Sequence, residues 1–548
     1  MSASRYELPV YPFHRPAELD GAQLRHPVVV IGAGLAGLTM AADLSLRGIP
    51  VIVLDDDDTV GVRGASSRGI CYAQRSLEIF DRLGIAGRIL EKGVTWSIAR
   101  TLSGRDTLYT LDLARQSASR MPPFVNIQQF YVEWYLVDRL AELGNAEIRW
   151  KNRVTGIDCR ADHSVLTVDT PEGRYRMQAE WVIDAEGVHS TVRESLGLPL
   201  DKELGSDRWC ITDVRFRQDP AAERWTWVDA PFNEGRAVWR HLMADSVWRL
   251  DFQMDPDSDP KEVSRHEVAE QRVRAMLGPD ADFEIVWVGP YAYRTQLLKE
   301  FRHRRVFFIG DAAHVTSPFG ARGGNSGIQD ADNLAWKLAQ VINSRCNENL
   351  LDSYCEERRA AAEANIRITR RSGRFIRPQS RAEHVLRQAV LDLSRRFPFA
   401  QALLNTGRLC TPHDYAGMSR LGTGAYAGRA MPDFTLQGKS GPTSLTAVLR
   451  EAGNRLLLLA NDTGPAACRY LRTLESELPV RVAFVAGSEG ELQDPHDYLS
   501  ALVGARAGQV AVIRPDSHLA GVAADPGHAA SLVRHALAFP TPSSPETP

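Results

Sequence analysis

Residues 28–58 read VVVIGAGLAGLTMAADLSLRGIPVIVLDDDD. The opening VVVI is a short run of β-branched and aliphatic residues that stops at a glycine, as a buried strand does. LTMAADLSLRG follows at helical spacing, and VIVL is a second buried strand, so the stretch is a βαβ unit. Its turn, Gly32-Ala33-Gly34-Leu35-Ala36-Gly37, is G-x-G-x-x-G at a strand–helix junction. Gly32 permits the tight turn, Gly34 lets a pyrophosphate reach the backbone, and Gly37 allows the helix to pack close on the strand. The unpaired N–H groups of Leu35 and Ala36 then face phosphate at a helix N-terminus. Asp55, 23 residues beyond Gly32, ends the second strand with Asp56 beside it, where an acid can bind ribose hydroxyls. This loop promises a dinucleotide without separating FAD from NAD. A glycine turn in an unrelated α/β fold is the alternative.

Outward from this loop, 548 residues exceed one compact core. Lys+Arg 65 against Asp+Glu 68 gives a net charge of −3, which favours neither nucleic acid nor an anionic membrane. No apolar run reaches the length of a membrane span, and the N-terminus lacks a signal-peptide core. Seven scattered cysteines with no C-x-x-C argue against a disulfide framework or zinc site and for a reducing, cytoplasmic setting.

Residues 1–27 read as an extended N-terminal arm. Residues 75–91 and 129–143 carry apolar positions at helical spacing. From 205 to 295 the pattern changes to short, Trp-rich strands (WCITDVRF, RWTWVDA, RAVWRHLM, SVWRLDFQM, FEIVWVG), as in a mostly antiparallel sheet. RRVFFIGDAAH returns to a buried strand, followed by the helix IQDADNLAWKLAQVI. The expected division is therefore a discontinuous nucleotide-binding domain (28–204 and 296–372), an inserted substrate-facing sheet (205–295), a helical connection (373–427), an α/β unit (428–541) and a disordered tail (542–548).

Gly310-Asp311-Ala312-Ala313-His314, then Ser317-Pro318-Phe319-Gly320-Ala321-Arg322-Gly323-Gly324-Asn325-Ser326-Gly327, then DADNLAWKL, carries the decision. This stretch resembles the G-D motif of the group A flavoprotein aromatic hydroxylases, most closely the 3-(3-hydroxyphenyl)propionate hydroxylase-like branch, and the resemblance covers residues 28–372. It implies a Rossmann-like FAD-binding domain of the para-hydroxybenzoate hydroxylase type. By the same resemblance Asp311 binds the ribitol chain, Pro318 lies beside the isoalloxazine, and the backbone of Gly323, Gly324 and Asn325 sits near the flavin O2 and N1. A helix N-terminus there suits the negative charge of reduced flavin at N1. Arg68, Gln129, Val154 and Ala185 join the implied FAD set together with Gly310. Glu186, in Asp184-Ala185-Glu186-Gly187, stands where the family's D-G fingerprint has aspartate, which keeps the charge and adds a methylene. The C-terminal unit is similar to the thioredoxin-like domain of phenol hydroxylases, without its C-x-x-C, and suits packing or dimerisation.

The implied chemistry is reduction of FAD by NADH or NADPH, uptake of O2, and oxygen delivery from a C4a-hydroperoxyflavin to a phenolic ring in aromatic catabolism. The substrate is expected to be a monocyclic phenol of the phenylpropionate, resorcinol, catechol or nitrophenol type, and the enzyme a homodimer. Phenolate is the more reactive form, so a base or acceptor is expected near it. Ile70 occupies the place where phenol hydroxylase has an aspartate, which leaves Asp213, His241 and Tyr293 as candidates, with Arg294 as a cation for an anionic substrate. His241 and Arg240 are neighbours on a strand, so one of them faces the pocket. A flavin-dependent halogenase is an alternative, because Trp225-Thr226-Trp227-Val228-Asp229-Ala230-Pro231 approaches that group's W-x-W-x-I-P motif. A non-catalytic flavoprotein using its C-terminal unit for interactions is another.

Overall fold

The computed structural model describes residues 6–61, 69–114, 119–216, 221–343, 346–404, 409–487 and 490–539. Its first sheet is the one the glycine loop announces. Strands Val306–Phe308, Gly173–Asp184, Arg25–Ile31, Val51–Leu54 and Ala146–Arg149 lie side by side in that order and run parallel. Val28, Val29 and Val30 are fully buried, as expected of a central strand covered on both faces. Helix Leu35–Leu46 packs between the sheet and helix Gly323–Ile342, which brings the two distant glycine motifs together.

The second sheet contains the expected Trp-rich strands, with bounds Leu200–Phe216, Arg224–Ala230, Arg236–Leu242, Val247–Met254 and Phe283–Leu298. Two further strands, Ile98–Ser103 and Asp106–Asp112, join it from earlier in the chain, turning at Gly104 with φ +60°. Ile98–Ser103 runs parallel to Arg224–Ala230; the other pairings among these strands are antiparallel. The helix expected over 75–91 is two helices, Gln74–Leu83 and Ala86–Lys92. Gly84 separates them at φ +89°, a left-handed C-cap that glycine adopts without steric cost.

The C-terminal unit builds a third, seven-stranded mixed sheet, with helix Pro465–Glu477 burying Cys468. It is joined to the FAD-binding part by buried charge. Glu357 of helix Asp352–Ile376 accepts from Arg514 Nη1 at 2.7 Å and Nη2 at 2.8 Å, and from Lys337 Nζ at 2.8 Å. Arg514 also donates to Asp516 (Nε to Oδ1, 3.0 Å), and Asn333 donates to Glu357 and Asp516 at 2.6 and 3.2 Å. Burial works to raise the Glu357 carboxyl, but Arg514 and Lys337 overcome it and hold it at about 2. No helix of the described residues is long and apolar enough to cross a membrane.

Replacing Glu357 by Ala takes the paired carboxylate from buried Lys337 and leaves Arg514 with Asp516, and the expected loss of stability is about 3–5 kcal/mol. Urea unfolding followed by tryptophan fluorescence measures it; an unchanged midpoint would count against the network. Because the folded carboxyl lies below its ordinary value of 4.5, this stabilisation is complete above that pH and is lost as pH falls toward about 2.

Candidate active site

The glycine loop has the shape a pyrophosphate needs. Gly32 lies at φ +103°, and a Cβ there would meet the Ala185 carbonyl oxygen at 2.6 Å. A Cβ on Gly37 would stand 2.0 Å from the Gly32 carbonyl oxygen, so glycine is obligatory for the helix to sit so close. A Cβ on Gly34 would meet nothing within 4 Å, which leaves open space beside the first turn of helix Leu35–Leu46. No acidic residue occupies that first turn to repel a phosphate.

Asp55 ends its strand and accepts from the Ala33 N–H at 2.5 Å and the Asp57 N–H at 2.9 Å. It braces the loop and keeps lone pairs for a ribose. Burial pushes its carboxyl up to about 6. Asp56 beside it is exposed. Gln129 begins helix Gln129–Leu143, takes the Gly69 N–H at 3.0 Å and donates to Glu133 at 2.8 Å. Glu133, buried and raised to about 7 by that burial, accepts the Gly61 N–H at 2.8 Å. Arg68 lies outside the described residues. Val154 is buried in strand Arg153–Cys159. Ala185 follows the strand end and donates its N–H to Ile31. The longer side chain of Glu186 takes the Val192 N–H at 3.1 Å, and burial raises its carboxyl.

The second motif closes on the first. Gly310 has φ +57°, and its N–H donates to Asp330 Oδ2 at 3.0 Å. A Cβ on Gly310 would meet Ala36 Cβ at 3.0 Å. Asp311, on the same turn, and Pro318 are exposed. Gly323, Gly324 and Asn325 form the first turn of helix Gly323–Ile342, which also carries no acidic residue there. The Asn325 side chain is fully engaged: Oδ1 accepts from Ala73 N–H and Ser76 Oγ, and Nδ2 donates to the Cys71 and Ala321 carbonyls. Its backbone thus remains the part that can address a ligand. Two acid-free helix N-termini, an open glycine cradle and a ribose-directed carboxylate fit FAD.

Sequence reasoning passed over Asp330 and Arg358. Asp330 Oδ2 also contacts His314 Nε2 at 2.7 Å, and Oδ1 accepts from Arg358 Nε at 2.7 Å. The clue was present in DADNLAWKL, which places several polar residues in a helix that is otherwise buried.

The four chemical candidates separate across the Trp-rich sheet. Asp213 is buried in a bidentate pair with Arg249 at 2.9 and 3.0 Å. His241 is buried on the face of the sheet that carries Trp239, its Nε2 3.8 Å from Asp251 Oδ2, and burial with Arg224 and Arg249 holds its pKa well below 6.5. Its neighbour Arg240 faces the other way, 4.1 Å over the Trp225 ring. Tyr293 packs among Trp209 and Phe319 with ring centroids 5.6 and 5.5 Å away. Arg294, next along the strand, is half-buried. Trp225 and Trp227 pack with Trp248 and Phe252 in the cluster on the outer side of the sheet.

Between the sheet and the loop after Pro318 lies a cleft, open to solvent, lined by Arg224, Thr226, Trp239, Phe319, Gly320 and Ile376 among others. The family model described as "FAD binding domain" matches residues 25–369, and the one described as "Aromatic-ring hydroxylase, C-terminal" matches residues 425–539. The chain belongs to the FAD-dependent aromatic-ring hydroxylases. Among similar hydroxylases, 6-methylpretetramide 4-monooxygenase of Streptomyces rimosus is 31% identical over 92% of this chain and 91% of its own length. A 3-(3-hydroxy-phenyl)propionate/3-hydroxycinnamic acid hydroxylase of Mycolicibacterium gilvum is 29% identical over 68% of this chain, and the match spans 64% of that relative. The flavin-dependent monooxygenase PieE, solved in complex with FAD and substrate, shares the fold at a TM-score of 0.82 with 22% identity, covering 95% of this chain and 100% of that one.

Gly37→Ala is expected to yield protein without bound flavin, read from the visible absorbance of the purified chain. For Asp55, ribose hydroxyls favour the ionised carboxylate. FAD affinity is therefore expected to be full above the raised value of about 6 and to fall as pH drops through it. Asp55→Asn should weaken FAD roughly tenfold at neutral pH and abolish this pH dependence; flavin fluorescence titration reads both.

Proposed function

We propose that this hydroxylase inserts one oxygen atom from O2 into the ring of a hydroxylated aromatic, using FAD and NADH or NADPH. The observation that supports the reading is the cleft between the aromatic face of the sheet and the Phe319–Gly320 turn, where a ring would lie beside the turn that carries Pro318. FAD is held by the loops at Gly32–Gly37 and Gly310–Asp311, by Asp55, and by the backbone of Gly323, Gly324 and Asn325. Gln129, Val154, Ala185 and Glu186 complete its surroundings. Bound FAD supplies the reducible centre and the activated oxygen. The chain's part is to orient the ring and exclude water from the reaction.

We infer that the substrate is a fused-ring phenol. End-to-end similarity to a 6-methylpretetramide monooxygenase supports the same reading. The monocyclic substrate expected from sequence keeps the support of the 3-(3-hydroxy-phenyl)propionate hydroxylase relative. The homodimer expected from the resemblance is supported by Val385, Leu386, Phe397 and Phe399, which are exposed on and beside helix Arg381–Ser394.

The holoenzyme is expected to oxidise NADH or NADPH faster in the presence of a phenol, with a product one oxygen atom heavier by mass spectrometry. A panel of single-ring and fused-ring phenols decides between the substrate sizes. No stimulation by any member would refute the hydroxylase reading, and halide-dependent product would favour the halogenase.

A further inference from the structure

The strand register places one row of side chains across the face of the sheet that packs on Phe319. Arg249 stands opposite Asp213 on one side and His241 on the other. The pairing of Trp225 with Arg240 sets Arg224 beside His241, and Ala99 follows Arg224. In the adjoining row Thr226 pairs with Trp239, and Trp239 with Asp251. The positive charges of the two rows are unequally matched. Arg249 is neutralised by Asp213, and Arg100, which also lines the cleft, is held by Glu223 at 2.6 and 2.8 Å. Arg224 lines the cleft, yet neither hydrogen bond nor ion pair joins its guanidinium to another described residue, and its Nε is buried without a partner.

The groups around Arg224 supply little counter-charge. Burial raises the nearby Asp251 carboxyl to about 7 and the Cys71 thiol to about 12. His241 is kept neutral. A guanidinium partly shielded from water, with a buried unpartnered Nε, is unfavourable without an anion, and an anion arriving in the cleft offsets that cost. Arg is also suited to an aromatic anion, since its planar fork donates in line with an oxygen and tolerates a ring face beside it. Trp239 and Phe319, whose ring centroids lie 5.2 Å apart in a T-shaped pair, provide the aromatic wall on the same cleft.

We propose that Arg224 binds the ionised hydroxyl oxygen of the phenolic substrate, so that the cleft selects the phenolate. The inference rests on the hydroxylase reading and names the form of substrate taken by that site. The O–H bond breaks as the substrate enters, the electron pair stays on oxygen opposite the guanidinium, and the proton leaves to water through the open side. Ring attack then starts from the more electron-rich species. This explains how the site could dispense with a strong base, given that Asp213 is committed to Arg249 and His241 is a weak one.

The test uses p-nitrophenol with the FAD-loaded enzyme, because ionisation of this probe is visible in its absorbance. Wild-type protein is expected to bind it as phenolate, with the bound probe ionising at lower pH than the free probe. Arg224→Gln should bind the phenolate about tenfold more weakly and lose the downward shift, while Arg224→Lys keeps part of it. Affinity for p-nitroanisole, which cannot ionise, should be unchanged in both variants, and flavin absorbance reports whether each folds. The proposal is overturned if wild type binds no probe, binds it neutral, or titrates like Arg224→Gln; if neither variant holds flavin, the wild-type titration alone decides. Loss of phenol-stimulated NADH or NADPH oxidation with an intact probe shift would remove the hydroxylase reading and leave the anion site standing.

Discussion

The carboxylate of Asp330 ties the molecule together at one point. One oxygen takes the N–H of Gly310 and faces His314, fixing the turn that carries Asp311. The other takes Arg358, which in turn donates to Tyr415 at 2.9 Å. Burial opposes the charge on Asp330, but His314 and Arg358 overcome it and hold its pKa below the ordinary range. A buried acid with three directed partners has one geometry in which all are satisfied. The turn, the helix beneath it and the long helix bearing Arg358 are therefore registered against each other before any ligand arrives.

That registration sets where the Trp-rich sheet can lie. Phe319, only a few residues beyond the braced turn, enters the cluster of Trp209, Trp239 and Tyr293. Aromatic side chains fill this contact with large, stiff surfaces that have few alternative packings. The polar row from Asp213 to Arg224 shares the face but lies beside the cluster, so chemistry and packing divide the same sheet. The outer face, where Arg240 stacks between Trp225 at 4.1 Å and Trp248 at 4.9 Å, belongs to structure.

The glycine loop and the second motif were legible because backbone demands restrict residue choice there. Only glycine serves where a Cβ would stand 2.0 Å from a carbonyl, as at Gly37. The Trp-rich strands were legible through their period of two. What sequence could not show was pairing across the chain. Asp213 looked like a base until Arg249 appeared beside it, and nothing in the sequence around Arg224 marks it as lacking a hydrogen-bonded carboxylate. The strands at Ile98–Ser103 and Asp106–Asp112 lie far from the rest of their sheet in sequence, so no local pattern assigns them to it. Ion pairs and long-range strand partners depend on topology, which composition and spacing do not encode residue by residue.

The buried meeting of Glu357, Lys337, Arg514 and Asp516 bears on how such a chain can change over generations. Glu357 and Lys337 pair on one side and Arg514 and Asp516 on the other, Arg514 bridges to Glu357, and Trp336 belongs to the apolar cluster of the C-terminal unit. A shortened descendant lacking that unit would lose the arginine from Glu357 and carry a sticky tryptophan on its new surface. A borrowed replacement would have to bring matching charges at matching positions. The C-terminal unit is therefore inherited as a fitted half of one object, with Glu357 and Arg514 matched across the join.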